Sequence, residues 1–412
     1  MSGKKIFNDP VYGFVSIPYG ILFELIEHPY FQRLRRIKQL SFTHYVYPGA
    51  LHTRFHHALG ALHLMQEAIE VLKSKGAEIS AEEEEAVQIA ILLHDIGHGP
   101  FSHTLERTLI NVSHEELSLL LMEALNRQFG GRLTLAMRIF KDDYPKKFLH
   151  QLVSSQLDMD RMDYLNRDSF FTGVSEGVIG YDRIIKMLAV AGGELVVEEK
   201  GVYSIEKFLI ARRLMYWQVY LHKTVLSAEQ MLKKALLRAK EIFAQGQSLN
   251  VSNHLLFFLQ NDFSDKKYSP EQQAALVEHF VKLDDYDIMT ALKNWTEHPD
   301  PVLSFLSDCL IHRRLFKLEL KNLPFEKEYV KAIRQKTAFV EAWTEPFLDY
   351  LVFEGSETNS AYSTLKEEIK ILFKNGKALP MSESADFELQ SRIVTKYYLC
   401  YPKFAQLSAT HS

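Results

Sequence analysis

Hydrophobic residues recur every three to four positions along most of the first half of the chain, which is the spacing of one face of an α-helix. The clearest helical segments are "RFHHALGALHLMQEAIEVLKSKG", which ends at Gly76, and "SAEEEEAVQIAILLHDIG", which begins at Ser80 and ends at Gly97. Ser80 is a favourable N-cap, and glutamates follow it in the first turn. The segments "SIPYGILFELIEHPYFQRLRRIKQL", broken at Pro29, and "HEELSLLLMEALNRQFGG" repeat the pattern. The pattern predicts a mainly α-helical protein.

Strand-like patterns interrupt the helices at two places. "AGGELVVEEKGVYSI" contains two short β-prone runs around a turn. The helical pattern returns from residue 205 and continues to about residue 345. After it, "YLVFEGSETNSAYS" and "EIKILFKNGKAL" indicate a small β element, in which Asn375-Gly376 has the composition of a hairpin turn.

The composition limits the kinds of protein that this chain can be. The chain has 412 residues, of which 47% are hydrophobic, so it can bury one or two large cores. A net charge of −4 argues against broad electrostatic capture of nucleic acid, although a local basic pocket is compatible with it. Cys309 and Cys400 form no CxxC pair, so we expect a reducing, cytoplasmic setting. We expect neither a signal peptide nor a membrane span, because no long apolar run is present.

Histidines concentrate near the N-terminus. Ten of the 17 lie before residue 115, in little more than a quarter of the chain. Histidine is the commonest metal ligand and the usual proton carrier near neutral pH. A single histidine on an apolar helix is more often an ordinary core or surface residue. The clustering therefore favours a site without establishing one.

His94 and Asp95 follow the apolar run "VQIAILL" directly. A buried carboxylate at that helix end would lose its hydration and face the negative pole of the helix dipole. A divalent cation would offset that cost, and both side chains could ligate it. The alternative is a His–Asp hydrogen bond that closes the helix.

Further ligands would have to come from other segments. His57 shares a helical face with the apolar residues at i+4, i+7 and i+11, so it should point inward. "SSQLDMDRMDYLNRD" offers Asp158, Asp160, Asp163 and Asp168, and spacing alone does not choose among them. One helical stripe of this segment, which would line a cleft, carries Asp160, Tyr164, Arg167 and Asp168. Taken alone, the segment is also typical of a charged surface helix.

The order of these motifs resembles the HD-domain phosphohydrolases, whose metal signature is a histidine, a His-Asp pair and a distant aspartate. The matching positions are His57, His94-Asp95 and Asp160. The resemblance extends to the branch of the sterile-alpha-motif/HD dNTP triphosphohydrolase and its bacterial relatives. It is dense over residues 5–225, in blocks such as "KIFNDPVYGFVSI", "LLHDIGHGPFSHTLE", "DMDRMDYLNRD" and "RRLMYWQVYLHKTV". We expect a relative without the sterile-alpha-motif domain.

The resemblance implies a multi-helical HD-domain bundle over residues 1–225. Residues 226–412 would form a mostly helical C-terminal extension with a small β element, serving as scaffold and oligomer interface. One divalent metal ion is implied, with Mn²⁺, Fe²⁺, Mg²⁺, Ni²⁺ and Zn²⁺ as candidates. Two imidazoles and two carboxylates leave octahedral positions open, which suits Mn²⁺, Fe²⁺ or Mg²⁺ better than tetrahedral structural zinc.

The resemblance also implies roles around the phosphates. His98 and His114 match positions that act on the α-phosphate. Glu106, where the family has aspartate, would orient a histidine as general acid. Arg54 would hold phosphate, as would Arg161, which replaces the family's usual lysine.

Other matches would contact the rest of the substrate. These positions are Gln39, Leu40, His103, Tyr164, Asp168, Arg212, Tyr216 and Tyr220. Tyr216 stands where the family often has histidine, so contacts to the base should differ. Ordinary helix packing is the alternative for Tyr216 and Tyr220.

A regulatory site is implied as well, because relatives form oligomers with guanine nucleotides bound between subunits. A nucleotide activator and a homodimer or homotetramer are therefore expected. One half of such a site matches Lys5, Asn8, Glu27, Gln32 and Arg35, and the other half matches Arg313 and Lys317. The alternative is a set of solvated surface charges.

Three functions stay open from the sequence. The first is a metal-dependent dNTP triphosphohydrolase that releases a deoxynucleoside and triphosphate, favoured by Arg54, Tyr164 and Asp168. The second is an HD phosphohydrolase of another ester, such as a nucleoside monophosphate, an alarmone or a cyclic dinucleotide. The third is a non-catalytic nucleotide-binding regulator, against which the complete set of metal ligands argues. No strong basic stretch supports a nucleic-acid partner.

Overall fold

A computed structural model describes residues 3–263, 268–341, 344–359, 368–383 and 394–407. Over these ranges the protein is mainly helical and contains three small β-sheets, as the sequence predicts. No helix within the described ranges has both the length and the apolar character needed to cross a bilayer.

An antiparallel hairpin opens the chain, formed by β1 (Lys4–Asp9) and β2 (Gly13–Pro18). The hydrophobic pattern of residues 4–18 does not predict this hairpin. Val15 and Ile17 are buried, whereas Ile6 and Phe14 are 58% and 72% exposed, so apolar residues lie on both faces. The alternation that identifies a half-buried strand is therefore absent.

Helices dominate residues 21–215: α1 (Ile21–Glu27), α2 (Pro29–Gln32), α3 (Arg54–Ser74), α4 (Ala81–Leu93), α5 (His103–Leu105), α6 (His114–Gln128), α7 (Thr134–Phe140), α8 (Lys147–Val153), α9 (Met159–Thr172), α10 (Tyr181–Met187) and α11 (Val202–Met215). Ser80 caps α4 as predicted, since its Oγ accepts the N–H of Glu83 at 3.2 Å. The predicted end at Gly97 is wrong by four residues, because residues 94–97 form a turn closed by the Ile96 N–H on the Leu93 carbonyl.

A second hairpin pairs β3 (Leu188–Ala191) with β4 (Glu194–Glu198) around Gly192 and Gly193, which both have positive φ. One predicted strand is wrong: "GVYSI" leads into α11, whose helical periodicity continues through Met215. β4 also pairs with β7 (Lys370–Leu372), and β7 with β8 (Ala378–Pro380). The predicted Asn375-Gly376 turn joins these last two strands.

The C-terminal half contains α12 (Lys223–Ala244), α13 (Asn253–Gln260), α14 (Pro270–Phe280), α15 (Asp285–Trp295), α16 (Pro301–Ile311), α17 (Lys327–Glu341) and α18 (Glu345–Leu351). A third sheet has the order β5 (Lys317–Lys321), β9 (Val394–Tyr401), β6 (Phe353–Asn359). Sequence analysis predicted β6 but neither β5 nor β9. Residues 360–363 of the predicted β segment lie outside the described ranges.

Buried side chains from both sides of residue 225 form one continuous hydrophobic cluster. The fully buried Arg33 connects the same two parts of the chain, because it donates to the Ile96 carbonyl at 2.7 Å and to the Leu283 carbonyl at 3.2 Å. Arg33 therefore links the C-terminal extension to the turn that follows α4. The division at residue 225 stays a prediction.

Candidate active site

Three helices bring two histidines and an aspartate to one point. α3 packs against α4 and α9, and supplies His57. The Nε2 atom of His57 lies 3.3 Å from Nε2 of His94, at the end of α4, and 3.1 Å from Oδ1 of Asp160, in the first turn of α9. The distance between His94 Nε2 and Asp160 Oδ1 is 3.4 Å. The histidines are buried, and the Asp160 side chain is 26% exposed.

The hydrogen bond made by Nδ1 of each ring determines which of its nitrogens carries the hydrogen and which carries a lone pair. His57 Nδ1 lies 2.7 Å from Asp163 Oδ2, and His94 Nδ1 lies 2.6 Å from the Ile91 carbonyl oxygen. Because a carboxylate and a carbonyl only accept, both Nδ1 atoms donate and both Nε2 lone pairs face Asp160. With both rings neutral, three acceptor atoms would face one another at this spacing, and either a proton on Nε2 or a shared cation relieves their repulsion.

The residues present fit a divalent metal ion. Neighbouring ligands of an octahedral ion bound at about 2.1 Å lie about 3.0 Å apart, close to the spacing of the three atoms here. The site attracts positive charge: although burial opposes protonation, the bonds to Asp160 and Asp163 raise the pKa of His57 to about 10. Burial opposes ionisation of Asp160, yet the two histidines hold its pKa well below its usual range.

Asp95 borders this cluster and is shared with an arginine. Its Oδ1 lies 3.4 Å from His94 Nε2, and its Oδ2 lies 3.6 Å from His57 Nε2. The same Oδ2 accepts a bond from Arg54 Nη1 at 2.5 Å, and Arg54 Nη2 donates to Ser102 Oγ at 2.7 Å. The four residues proposed as metal ligands are thus neighbours, with Arg54 beside them.

The two histidines proposed for catalysis stack next to Asp95. The rings of His98 and His114 are nearly parallel, with centroids 4.0 Å apart. His98 Nε2 lies 3.3 Å from Asp95 Oδ1, and His114 Nδ1 lies 3.1 Å from Glu106 Oε2. Burial and the nearby Arg54 lower the pKa of His98 well below its usual value. Burial also opposes protonation of His114, but the bond to Glu106 raises its pKa overall.

Close packing of α6 against the turn after α4 makes this stacking feasible. A Cβ at Gly97 would lie 2.2 Å from the His114 carbonyl oxygen and 2.3 Å from the Ser118 nitrogen, so only glycine fits. Ser118 Oγ accepts the Gly97 N–H at 2.9 Å and donates to the His94 carbonyl at 2.8 Å. Sequence analysis missed Ser118, because a serine inside an amphipathic helix gives no distinguishing signal.

A second group of side chains lies farther along α9. The buried Asp168 has Oδ1 2.7 Å from His52 Nε2, and its Oδ2 accepts the Tyr220 hydroxyl at 2.7 Å. The Tyr220 ring makes edge contacts with Tyr164 and Tyr216, at centroid distances of 6.1 Å and 5.8 Å. Four of the eight positions expected to contact the rest of the substrate, Tyr164, Asp168, Tyr216 and Tyr220, therefore meet. Sequence analysis missed His52, which also stacks on Phe171.

Several predicted positions have partners that the sequence did not indicate. Asp158 is the N-cap of α9, forms an ion pair with Arg161 and accepts the Arg161 N–H at 2.7 Å. Arg212 Nη1 donates to Gln156 Oε1 at 3.0 Å.

The other positions expected to contact the substrate are Gln39, Leu40 and His103. The Gln39 side-chain oxygen is buried without a hydrogen-bond partner among the described atoms. Leu40 packs against the hydrophobic core. The side chain of His103 lies outside the described part of the structure.

One expectation for α9 is wrong. Arg167 does not line a cleft with Tyr164, because it is completely buried and pairs with Asp163 and Asp9. Most of α9 is buried, so a polar stripe on this helix does not distinguish cleft from interior. Asp163, one of the four candidate carboxylates, instead holds the far side of His57.

Most of the positions expected to bind an activator are exposed. Lys5, Asn8, Glu27 and Arg35 are exposed, and Arg35 Nε donates to Gln32 Oε1 at 2.8 Å. Arg313 Nε donates to the Tyr45 carbonyl at 2.8 Å. Lys317 lines a cleft of about 1020 Å³ together with three further lysines, Lys223, Lys321 and Lys403.

Known proteins resemble this chain in sequence and in fold. The HD domain family matches residues 54–168, and the HD associated region matches residues 179–252. The uncharacterized protein YwfO of Bacillus subtilis is 33% identical over 98% of this chain and 93% of its own. The deoxynucleoside triphosphate triphosphohydrolase SAMHD1 homolog of Dictyostelium discoideum is 30% identical over 61% of this chain and 54% of its own. A crystal structure of a phosphohydrolase from Bacteroides thetaiotaomicron has a TM-score of 0.93 at 53% identity and covers 97% of this chain and 100% of its own.

Proposed function

The chain belongs to the HD-domain family of phosphohydrolases, and on that premise we propose that it is a metal-dependent dNTP triphosphohydrolase. The observation that carries this proposal is the arrangement along α9. At four-residue intervals the helix presents Asp160 to the histidine pair, Tyr164 to the Tyr220 ring, and Asp168 to His52 and Tyr220. A phosphate-binding end and a sugar-binding end then lie along one helix.

The metal ion, when bound by His57, His94, Asp95 and Asp160, would polarise a phosphoryl oxygen and lower the pKa of a bound water. Arg54 holds positive charge beside the same point, which suits a reaction that depends on placed charge. Mn²⁺, Fe²⁺ or Mg²⁺ fits this nitrogen and oxygen donor set.

His114 acts as the general acid in this proposal. Water attacks the α-phosphorus and releases one proton to solvent, the bond between phosphorus and the 5′ oxygen breaks, and His114 Nε2 gives its proton to that oxygen. His114 then regains a proton from solvent, so the net change is one water consumed. The bond between Nδ1 and Glu106 favours the protonated ring, and Nε2, which lies 3.6 Å from Glu115 Oε1, is the atom proposed to transfer its proton. His98 stacks on the acid and holds the α-phosphate.

Selection of a deoxyribonucleotide is assigned to Tyr164 and Asp168, with Gln39, Leu40, His103, Arg161, Arg212, Tyr216 and Tyr220 completing the substrate contacts. A tyrosine ring stacked below the sugar would exclude a 2′-hydroxyl by contact alone. The name of the Dictyostelium relative, a dNTP triphosphohydrolase, supports the same substrate class.

One alternative has observations in its favour, and a second would be indicated by the outcome of the test. Arg161 is paired with Asp158, and Tyr216 stands where relatives often have histidine, which favours another nucleotide phosphate ester. Substrate binding without turnover would indicate a non-catalytic nucleotide-binding regulator.

Regulation and assembly belong to the same proposal. A nucleotide activator would bind between copies of the chain, with Lys5, Asn8, Glu27, Gln32 and Arg35 on one side. Arg313 and Lys317 would face it from the other side, and the cluster of lysines around Lys317 supports an anionic ligand. The protein would then be a cytoplasmic homodimer or homotetramer.

The test is product analysis. Purified protein is incubated with Mn²⁺ and each dNTP, NTP, dNMP, alarmone or cyclic dinucleotide, with and without a second nucleotide, and products are separated by chromatography. A deoxynucleoside and triphosphate are expected from dNTPs. Orthophosphate or pyrophosphate as product would favour the other ester, and absence of any turnover would favour the regulator.

A further inference from the structure

A chain of buried ionic contacts leads from the β1–β2 hairpin to His57. Asp9 Oδ2 accepts a bond from Arg167 Nη1 at 2.8 Å. Arg167 Nε and Nη2 donate to the two oxygens of Asp163, each at 2.9 Å. Asp163 Oδ2 in turn accepts the His57 Nδ1 hydrogen at 2.7 Å.

These contacts are unusually well shielded from water. His57, Asp163 and Arg167 are completely buried, and Asp9 is 7% exposed. Burying a guanidinium and two carboxylates costs several kcal/mol per ion unless the geometry is excellent. The fork of Arg167 onto Asp163 provides such geometry, and fixes both carboxylate oxygens.

Asp9 is itself fixed by the hairpin turn. Its Oδ1 accepts the N–H groups of Val11 and Tyr12, at 2.9 Å and 3.0 Å, which leaves Oδ2 for Arg167. The position of the turn and the position of the guanidinium are therefore coupled.

Metal affinity depends on how a ligating histidine is held from behind, because the second bond sets its tautomer, ring orientation and basicity. Asp163 can hold His57 only while its own oxygens are fixed, and Arg167 fixes them. We propose that Asp9 and Arg167 are positioning residues for His57, acting through Asp163, so that the β1–β2 hairpin sets the affinity for the divalent ion. This inference rests on the proposed metal centre.

Through these contacts the β1–β2 hairpin would also have a role in regulation. Lys5 and Asn8, expected to bind an activator, lie on the same strand as Asp9, four positions and one position before it. A ligand that shifts β1 would move Asp9. That movement would be transmitted to His57 through the side chains of Arg167 and Asp163, without a change in the helices.

The experiment measures Mn²⁺ binding by titration calorimetry. Asp9→Asn retains the Oδ1 acceptor for the turn but removes the charge that faces Arg167. Arg167→Lys retains the charge but removes the fork. We expect the Kd for Mn²⁺ to rise about 10-fold in Asp9→Asn and about 10- to 100-fold in Arg167→Lys. Phe14→Ala, which alters an exposed residue of the same hairpin, should bind Mn²⁺ as the wild type does.

A second measurement separates positioning from general damage. At saturating Mn²⁺, kcat of Asp9→Asn should return to the wild-type value with KM for the dNTP unchanged. Asp9→Ser, which also keeps an oxygen acceptor, replaces Asp9→Asn if the latter does not fold. Wild-type affinity in both Asp9→Asn and Arg167→Lys would overturn the inference. Failure of the wild type to bind Mn²⁺ would instead overturn the proposed metal centre.

Discussion

His98 and His114 stack face to face with ring centroids 4.0 Å apart, although they belong to different segments of the chain. His98 faces Asp95 and the metal ligands, whereas His114 faces Glu106. The stack therefore places the ring proposed to hold the α-phosphate directly against the ring proposed to protonate the leaving oxygen.

Asp160→Asn should abolish Mn²⁺ binding, because an amide replaces the carboxylate that faces both Nε2 lone pairs. Titration calorimetry measures the loss. Asp182→Asn, at an exposed position of α10, serves as the matched control. Retention of wild-type affinity in Asp160→Asn would place the ion elsewhere.

His114→Ala should bind Mn²⁺ normally and lose turnover by about 10²–10⁴-fold, the usual contribution of a general acid. Steady-state kinetics with a dNTP gives the loss, and calorimetry confirms the metal. His150→Gln, whose ring bonds to the Ile139 carbonyl, controls for loss of a histidine. Normal hydrolysis by His114→Ala would remove its assigned role.

The pH dependence of kcat should change when Glu106 is replaced. Burial opposes protonation of His114, but the bond to Glu106 and the nearby Asp95 and Glu115 raise its pKa, while His98 packs against its face. A general acid with a raised pKa works below that pKa and fails as the pH rises through it. In Glu106→Gln, the alkaline limb of kcat against pH should therefore move to lower pH. An unchanged limb would contradict the assignment.

Gly60→Ala should destabilise the fold and weaken metal binding together. A Cβ at Gly60 would lie 2.0 Å from Asp163 Oδ1 and 2.1 Å from Arg167 Nη2. We expect the free energy of unfolding, measured with denaturant, to fall by about 1–3 kcal/mol. Gly180→Ala, where nothing lies within 4 Å, is the matched control and should change it by less than about 0.5 kcal/mol.

Tyr220→Phe should lower kcat/KM for dNTPs by about 10-fold, because it removes one of the two bonds that hold Asp168. His52→Gln should act in the same direction, since it alters the other bond. Both variants should also narrow the preference for dNTPs over NTPs. Tyr203→Phe, at an exposed position of α11, should change neither quantity.

The sequence predicted the helices and the ordered motif well, because amphipathic periodicity and capping residues are local signals. Ser80 and Gly76 defined helix ends within a few residues. Strand β9 and the pairing of β4 with β7 depend on residues far apart in the chain, and no local pattern specifies such partners.

The candidate site, too, could be predicted only in part from local patterns in the sequence. Spacing placed His57 on an inward face, but it left Asp158, Asp160 and Asp163 equivalent. Their roles separate only in three dimensions: Asp158 caps α9, Asp160 faces the histidines, and Asp163 supports His57 across 106 residues of sequence. His52 and Asp9 were missed because their partners lie more than 100 residues away.

The bonds from Arg33 to the Ile96 and Leu283 carbonyls have a consequence for synthesis of the protein. The residues that hold Arg33, Arg36 and Lys38 follow them by 247–250 positions. At about 5–20 residues per second, a ribosome needs roughly 12–50 s to make that length of chain. Asp160, the last proposed metal ligand in the sequence, precedes Leu283 by 123 positions, so for roughly 6–25 s of that interval the nascent polypeptide carries every proposed ligand but lacks the contact that locks the turn beside them. Catalytic competence would therefore arrive late in translation, after most of the polypeptide has left the exit tunnel.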